Sequence, residues 1–381
     1  MRNPLSLSDE DENESSKLPF CWWRSVEHFN DQGQLKLDLS NLSNLTPRVK
    51  VLREMERLAL IAPEGLDDLR HKLITYRAGD FWLPTGGIKK EDMDIPPIVT
   101  ILLVGFSGSG KSSLVNLMYS VLGRSGLIPF AQTSGNSSNY TTMFMEEHNV
   151  LRSLRSGFCV YDSRGLDYNR VEESLEGLSG WLVNGVHHHQ LCFRSGDEAS
   201  KPLVGSVPSS SSLSKFSWRK VNCVVVVANI AEIYQALKKG DAKPMEATKA
   251  LFNCPAIRKC NENPILIFTH GDKLSSDERI DGRLKVSKFL GISETSGEYD
   301  VVCLTEHGLL PDESDPVTAY ALTEAIYRAL IQSDRSHPPK IRFKDWVVML
   351  VTWLLCCIAA FFAFLADFFS KLGRKDKKLK L

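Results

Sequence analysis

Apolar positions along the 381-residue chain change their spacing twice, and each change marks a different kind of element. Between about residues 46 and 76, Val51, Leu52, Met55, Leu58 and Ala59, then Leu66, Leu69 and Leu73, recur at the interval of one helix face. Pro63-Glu64-Gly65 interrupts that stripe and predicts two helices rather than one. From Pro96 the pattern becomes short, continuous apolar runs. "PIVTILLVG" reads as a strand buried on both faces, and "YTTMFMEE", "GFCVYD", "VNCVVVVAN", "NPILIFTH" and "DVVCLT" read as further strands. Helical stretches separate most of them. One runs from Lys111 to about Val121, and a last one opens near "SDPVTAYALTEAIYRAL", where Asp315 caps and Pro316 sits in the first turn. This alternation predicts an α/β fold with a doubly wound, mostly parallel sheet. The final pattern is "WVVMLVTWLLCCIAAFFAFLA", Trp346 to Ala366, 21 residues without a charge. As a helix it extends roughly 31 Å, about the thickness of a hydrocarbon core.

These patterns divide the chain. Residues 1–18, with "SDEDENESS", are acidic and Ser-rich and predict a disordered segment. Residues 19–95 form a helical N-terminal extension in which the aromatic "FCWWRSVEHF" is expected to pack on the main domain. The α/β domain covers 96–333, a linker 334–345, the transmembrane helix 346–366 and a basic tail 367–381. One connection is long: about 55 residues separate Gly165 from Val221. It opens with the helix-like "RVEESLEGLSGWLVNGVHHHQL" and continues into a Ser-rich surface insertion, 194–217. Three adjacent histidines, His187, His188 and His189, cannot all face one metal ion from a helix and are read as a solvated helix end.

Composition adds exclusions. The formal net charge is zero, so no global positive field recruits nucleic acid, and no basic, aromatic-rich module suggests RNA binding. The nine cysteines include no CxxC pair, and an odd count without a secretory signal predicts reduced thiols in a cytosolic setting. Cys356 and Cys357 are read as small residues within the apolar helix.

Chemistry concentrates in three short stretches. Gly105-Phe106-Ser107-Gly108-Ser109-Gly110-Lys111-Ser112 fits GxxxxGK[ST], with a strand before it and a helix after. Its glycines let backbone N–H groups turn in around phosphate oxygens, Ser113 is expected among the nucleotide-binding residues with Ser112, and the helix N-terminus adds partial positive charge. Lys111 is expected at the β- and γ-phosphates and the Ser112 hydroxyl on Mg²⁺. Asp162-Ser163-Arg164-Gly165 ends a strand 51 residues after Lys111 and resembles the DxxG switch of guanine-nucleotide proteins, a resemblance that implies Asp162 near Mg²⁺ and the Gly165 N–H at the γ-phosphate. Thr269-His270-Gly271-Asp272 ends another strand and matches [NT]KxD with His in place of Lys. A carboxylate at Asp272 accepts both N1–H and N2–H₂ of guanine, a donor pair that adenine lacks. Thr305 and Glu306, after "DVVCLT", are the expected backbone contacts to the base. Thr141 or Thr142 is expected as the first-switch Mg²⁺ ligand, with Thr133 as the fallback.

The trio GFSGSGKS, DSRG and THGD, in this order, resembles the translation-factor-related class of P-loop GTPases over roughly residues 96–333. Within that class it looks most like the septin-like branch holding the chloroplast preprotein-receptor and immunity-associated GTPases. The resemblance implies a P-loop NTPase G-domain, GTP and GDP as ligands, Mg²⁺ as cofactor and homodimerisation through the G-domain. Members of that branch tolerate a non-Lys second residue in the base motif, and several end in a membrane anchor. Two departures stand out: Arg164 replaces the usual Pro, and Leu166 follows the switch glycine where a water-orienting Gln is common. A leucine cannot hydrogen-bond water, so slow intrinsic hydrolysis is expected unless a partner supplies the function.

The late apolar helix followed by "KLGRKDKKLKL" has the layout of a single-pass tail anchor with the catalytic domain in the cytosol, where GTP and Mg²⁺ are available. Lys340, Arg342 and Lys344 flank its other end, so charge does not choose an orientation. An organelle outer membrane (mitochondrion or plastid) and the ER both fit, and so does a helix lying in the membrane plane. The expectation is thus a membrane-anchored slow GTPase or nucleotide-dependent switch. A non-hydrolysing pseudoGTPase scaffold is the alternative. A transporter-type ATPase is disfavoured because "LEGLSGW" is not an LSGGQ signature.

Overall fold

The computed structural model describes residues 21–26, 29, 35, 45–84, 88–124, 129–133, 142–153, 155–192, 218–293, 297–303, 315–340 and 343–378. Residues 1–18 and 194–217, and the site candidates Thr141, Thr305 and Glu306, lie outside the described residues. The chain forms two compact units, Met1–Leu83 with Pro96–Ser336, and Pro84–Ile95 with His337–Leu381.

In the first unit, strands β1 (Val99–Val104), β2 (Phe144–His148), β3 (Phe158–Asp162), β4 (Gln190–Leu191), β5 (Cys223–Asn229), β6 (Ile265–Thr269) and β7 (Glu298–Asp300) form one sheet. Their order is β4-β2-β3-β1-β5-β6-β7. Strands β3, β1, β5, β6 and β7 run parallel, and β2 and β4 add antiparallel pairs at one edge. The fold is the expected mostly parallel α/β sheet. Every residue of β1 is buried, and its side chains alternate between two cores: Val99, Ile101 and Leu103 join one, Leu102 and Val104 the other. The central strands therefore read as unbroken apolar runs. The last strand comes earlier than "DVVCLT" suggests, because pairing with β6 ends at Asp300 and leaves Val301 and Val302 buried beyond the ladder.

The first core lies under the helices α1 (Pro47–Thr75), α2 (Lys111–Val121) and α8 (Pro316–Arg335). The other holds residues of α3 (Val171–Asn184), α4 (Ile230–Lys238), α5 (Lys243–Phe252), α6 (Pro255–Cys260) and α7 (Ser276–Leu290). Two helices were expected before β1; the structure has one of 29 residues, with Pro63 inside it. Proline removes one backbone bond, but the stripe from Val51 to Leu73 stays in register on α8 and holds the helix together. The Thr46 side chain caps it. At its far end the buried Asp334 carboxylate accepts from the Tyr76 hydroxyl and the Gly79 N–H at 2.9 Å each, and from the Phe81 N–H at 2.9 Å. The extension is thereby bolted to α8.

The histidine run also differs from expectation. Helix α3 stops at Asn184, Gly185 takes φ 84°, and His187, His188 and His189 lie in the connection into β4. There the His188 Nδ1 accepts the Glu147 N–H at 3.0 Å, a role in the sheet edge rather than a solvated helix end.

The second unit pairs two stretches of backbone. Met93 bridges Pro339, the Asp94 N–H donates to Pro338 O at 2.8 Å, and the Lys340 N–H donates to Asp92 O at 2.7 Å. Helix α9, Phe343–Lys378, follows. Its segment Trp346–Ala366, 21 residues, is long and apolar enough to cross a membrane.

Candidate nucleotide site

Strand β1 delivers the chain to the sheet's C-terminal edge, between β3 and β5. That edge, where the helices leave on opposite faces, is where open α/β sheets bind ligands. The Gly-rich loop turns there through Gly108 (φ 75°) and Gly110 (φ 83°), conformations that side chains disfavour. Gly110 is the N-cap of α2 and supplies no side-chain cap, so the first helical turn faces the loop with its N–H groups available for an anion. The Lys111 ammonium is folded back into this loop. It donates to Gly105 O at 3.2 Å and Phe106 O at 3.3 Å, and lies 3.5 Å from Ser109 Oγ. A phosphate entering the cradle would compete with those carbonyls for the charge.

Three oxygen groups meet beside it. The Ser112 hydroxyl donates to Asp162 Oδ2 at 2.5 Å and lies 3.3 Å from the Thr142 hydroxyl. The other Asp162 oxygen, Oδ1, is buried without a hydrogen-bond partner. Burial pushes the Asp162 carboxyl up to about 6, against the opposing pull of Lys111 and Ser112. A buried carboxylate oxygen left unsatisfied next to two hydroxyls fits a hard, oxygen-seeking cation such as Mg²⁺. Among the described residues no cluster of three His, Cys, Asp or Glu offers a different metal set. Of the first-switch candidates, Thr142 is at this point. Thr133 is exposed, and no hydrogen bond joins it to Ser112 or Asp162.

The turn after Asp162 is stitched to the Gly-rich loop. The Ser107 N–H donates to Leu166 O at 2.8 Å and the Leu166 N–H to Gly105 O at 2.9 Å. Between them Gly165 approaches so closely that a Cβ there would lie 2.7 Å from Ser107 Cα and 3.2 Å from Lys111 Nζ. The Leu166 side chain points away, into the second core. Arg164 is buried as well and donates to Cys192 O at 2.8 Å, while the Cys192 N–H donates to Met143 O at 3.0 Å. The switch-like turn is thereby connected to the residue next to Thr142.

The base-motif loop reaches the same place from β6. The buried Thr269 hydroxyl donates to Ser109 O at 2.8 Å and lies 2.9 Å from His270 Nδ1. With its proton given to Ser109, that hydroxyl accepts from an Nδ1–H imidazole. His270 takes a left-handed φ of 59° and sets its Cε1 3.2 Å from where a Gly110 Cβ would be. Burial, then the nearby Lys273, lowers its pKa and keeps the ring neutral. Asp272 is exposed in the turn Gly271–Lys273. Its charge also reaches Cys303, whose thiol is pushed up to about 12 by burial and then by Asp272.

Two neighbours of this site escape a motif search. Asn229 ends β5 and its amide donates to Gly108 O at 3.3 Å. A polar residue closing the run "VVVVAN" beside the Gly-rich strand is a readable signal for it. Tyr168 stacks on Phe106 of the loop, centroids 4.2 Å apart, and the sequence carries no such signal for that pair.

No family model matches the chain, and no curated protein matches it. A solved structure similar to it is described as the crystal structure of a probable GTP-binding protein engB. It is 12% identical with a TM-score of 0.33, and the match covers 61% of this chain and 98% of that one. The α/β assignment rests on the strand order and the loop geometry, not on this likeness.

Proposed function

We propose that the chain is a membrane-anchored GTP- and GDP-binding protein that hydrolyses GTP slowly and acts as a nucleotide-dependent switch. One observation carries the reading: Thr269 ties the loop bearing the exposed Asp272 carboxylate to the same Gly-rich loop whose Ser112 meets Thr142 and Asp162. Base reader, phosphate cradle and cation ligands thus share one edge of the sheet. Bound there, Mg²⁺ would neutralise charge on the phosphate oxygens, held by the Ser112 and Thr142 hydroxyls with Asp162 beside them. Lys111 exchanges its carbonyl partners for the β- and γ-phosphates. The Gly165 N–H is the candidate γ-phosphate sensor, and Asp272 accepts from N1–H and N2–H₂ of guanine. Arg164 carries a change at that turn to the strand behind Thr142 through Cys192 and Met143.

Slow turnover follows from Leu166. Its side chain fills the core, so position 166 offers no group to orient an attacking water. A second copy docking through the G-domain is the proposed source of such a group, in keeping with the septin-like resemblance. The same residue favours the second reading, a pseudoGTPase scaffold that binds GTP and does not cleave it. Helix α9 is the proposed anchor, with the nucleotide site on the cytosolic face of an organelle. Titration of the purified full chain in detergent with GDP, GTP and ATP tests the base, and equal or tighter ATP binding sinks the guanine reading. Single-turnover GTP cleavage separates switch from scaffold.

A further inference from the structure

The glycine of the base motif has an arginine against it. Arg279, in α7, is buried, and its Nε lies 2.3 Å from where a Cβ on Gly271 would be. Only a bare backbone fits there. The guanidinium is aimed by Asp300 at the end of β7, to which its Nε and Nη2 donate at 2.6 and 2.7 Å. Its face is covered by the ring of Trp22, with Cζ 3.9 Å from the centroid. Trp22 is in turn fixed: the Ser276 hydroxyl donates to its carbonyl at 3.0 Å, and the Ser25 hydroxyl donates to Ser276 Oγ at 2.9 Å. The next residues hold this segment to α1, since the Trp23 indole N–H donates to Glu56 at 2.5 Å and Arg24 forms a two-point pair with the same carboxylate at 2.9 and 2.8 Å.

We propose that Trp22 and Arg279 are positioning residues for guanine selectivity. Together they buttress Gly271 and so fix where the Asp272 carboxylate stands. This rests on the guanine reading above. Two hydrogen bonds from a base to one carboxylate tolerate little displacement, so a loop with nothing behind Gly271 loses base discrimination before it loses phosphate binding. Excluding water from the Arg279 face strengthens its bonds to Asp300, and tryptophan is the aromatic ring best suited to cover a guanidinium. The N-terminal extension, on this account, is part of the specificity apparatus.

The test compares GDP with inosine diphosphate, which lacks the exocyclic amine, on the full chain in detergent, with Mg-pyrophosphate as the probe of the phosphate half alone. Wild type should favour GDP. Trp22→Ala should cut that preference about tenfold while pyrophosphate affinity holds, and Trp22→Phe should retain most of it. Ser276→Ala, which leaves the ring in place and removes that hydroxyl's two bonds, to the Trp22 carbonyl and from Ser25, should move the ratio the same way by less, and serves if Trp22→Ala does not fold. An unchanged ratio in folded variants of a GDP-selective protein overturns the buttress alone. So does an equal fall for GDP, inosine diphosphate and pyrophosphate. A wild-type protein that does not separate GDP from ADP overturns the guanine reading and the buttress with it.

Discussion

The loop proposed to cradle phosphates draws most of its parts from one continuous segment, Gly105 to Ser113, whereas the loop before Asp272 is held by Trp22, Thr269, Arg279 and Asp300. The first half needs only a strand, a tight turn and a helix start, all local. The second needs three distant pieces of chain to arrive together. Local construction tolerates change elsewhere in the fold; distributed construction would make the proposed base recognition sensitive to the distant segment at Trp22. Phosphate binding and base selectivity should therefore be separable by mutation.

The largest expected effect tests the local half. Lys111→Ala removes the cation of the cradle and should weaken GDP binding on the order of a hundredfold or more by calorimetry. The next lies in the strand behind Thr142. His148 is buried, its Nε2 3.6 Å from Glu146 Oε2 and its Nδ1 3.4 Å from the Tyr119 hydroxyl. Burial, then His188, lowers its pKa from 6.5 to about 4. The fold holds the ring neutral while the unfolded chain takes up a proton, so stability is full above 6.5 and is lost as pH falls from 6.5 towards 4. The buried Asp162 carboxyl, pushed up to about 6, contributes with the opposite sign over the same window, so the measurement is the difference between wild type and His148→Gln. Denaturant melts should show wild type losing about 3 kcal/mol relative to the variant as pH falls from 6.5 towards 4.

The base half is addressed by Asp272→Asn, which should weaken GDP binding roughly thirtyfold, leave pyrophosphate binding unchanged and improve binding of xanthosine diphosphate. Loss of pyrophosphate binding as well would show that the halves are not separable. The smallest expected change is Leu166→Gln. Because that side chain faces the core, the substitution should leave single-turnover GTP cleavage within about twofold of wild type while lowering the melting temperature.

The same contrast explains what the sequence makes legible. The central strand runs, the Gly-rich turn and the helix cap at Asp315 are local, and the structure has them where periodicity and residue type put them. The break expected at Pro63 is absent because burial along α8 outweighs one missing backbone bond, a sum that local rules omit. The histidine run departs from a solvated helix end for a like reason: the partner of His188, Glu147, lies 41 residues away. Arg279 has no signature at all, since an arginine on an apparently polar helix reads as solvated until Asp300 and Trp22 are seen around it.

The paired backbone bonds between Ser107 and Leu166, and between Leu166 and Gly105, can also serve as a clock. Both amides belong to one small bridge, so neither hydrogen exchanges with solvent unless the bridge opens. If GTP moves the turn at Gly165, the exchange lifetimes of the Ser107 and Leu166 amides should change together, and by the same factor. Deuterium uptake at two positions then reports the nucleotide state from inside the protein, without a label on the ligand.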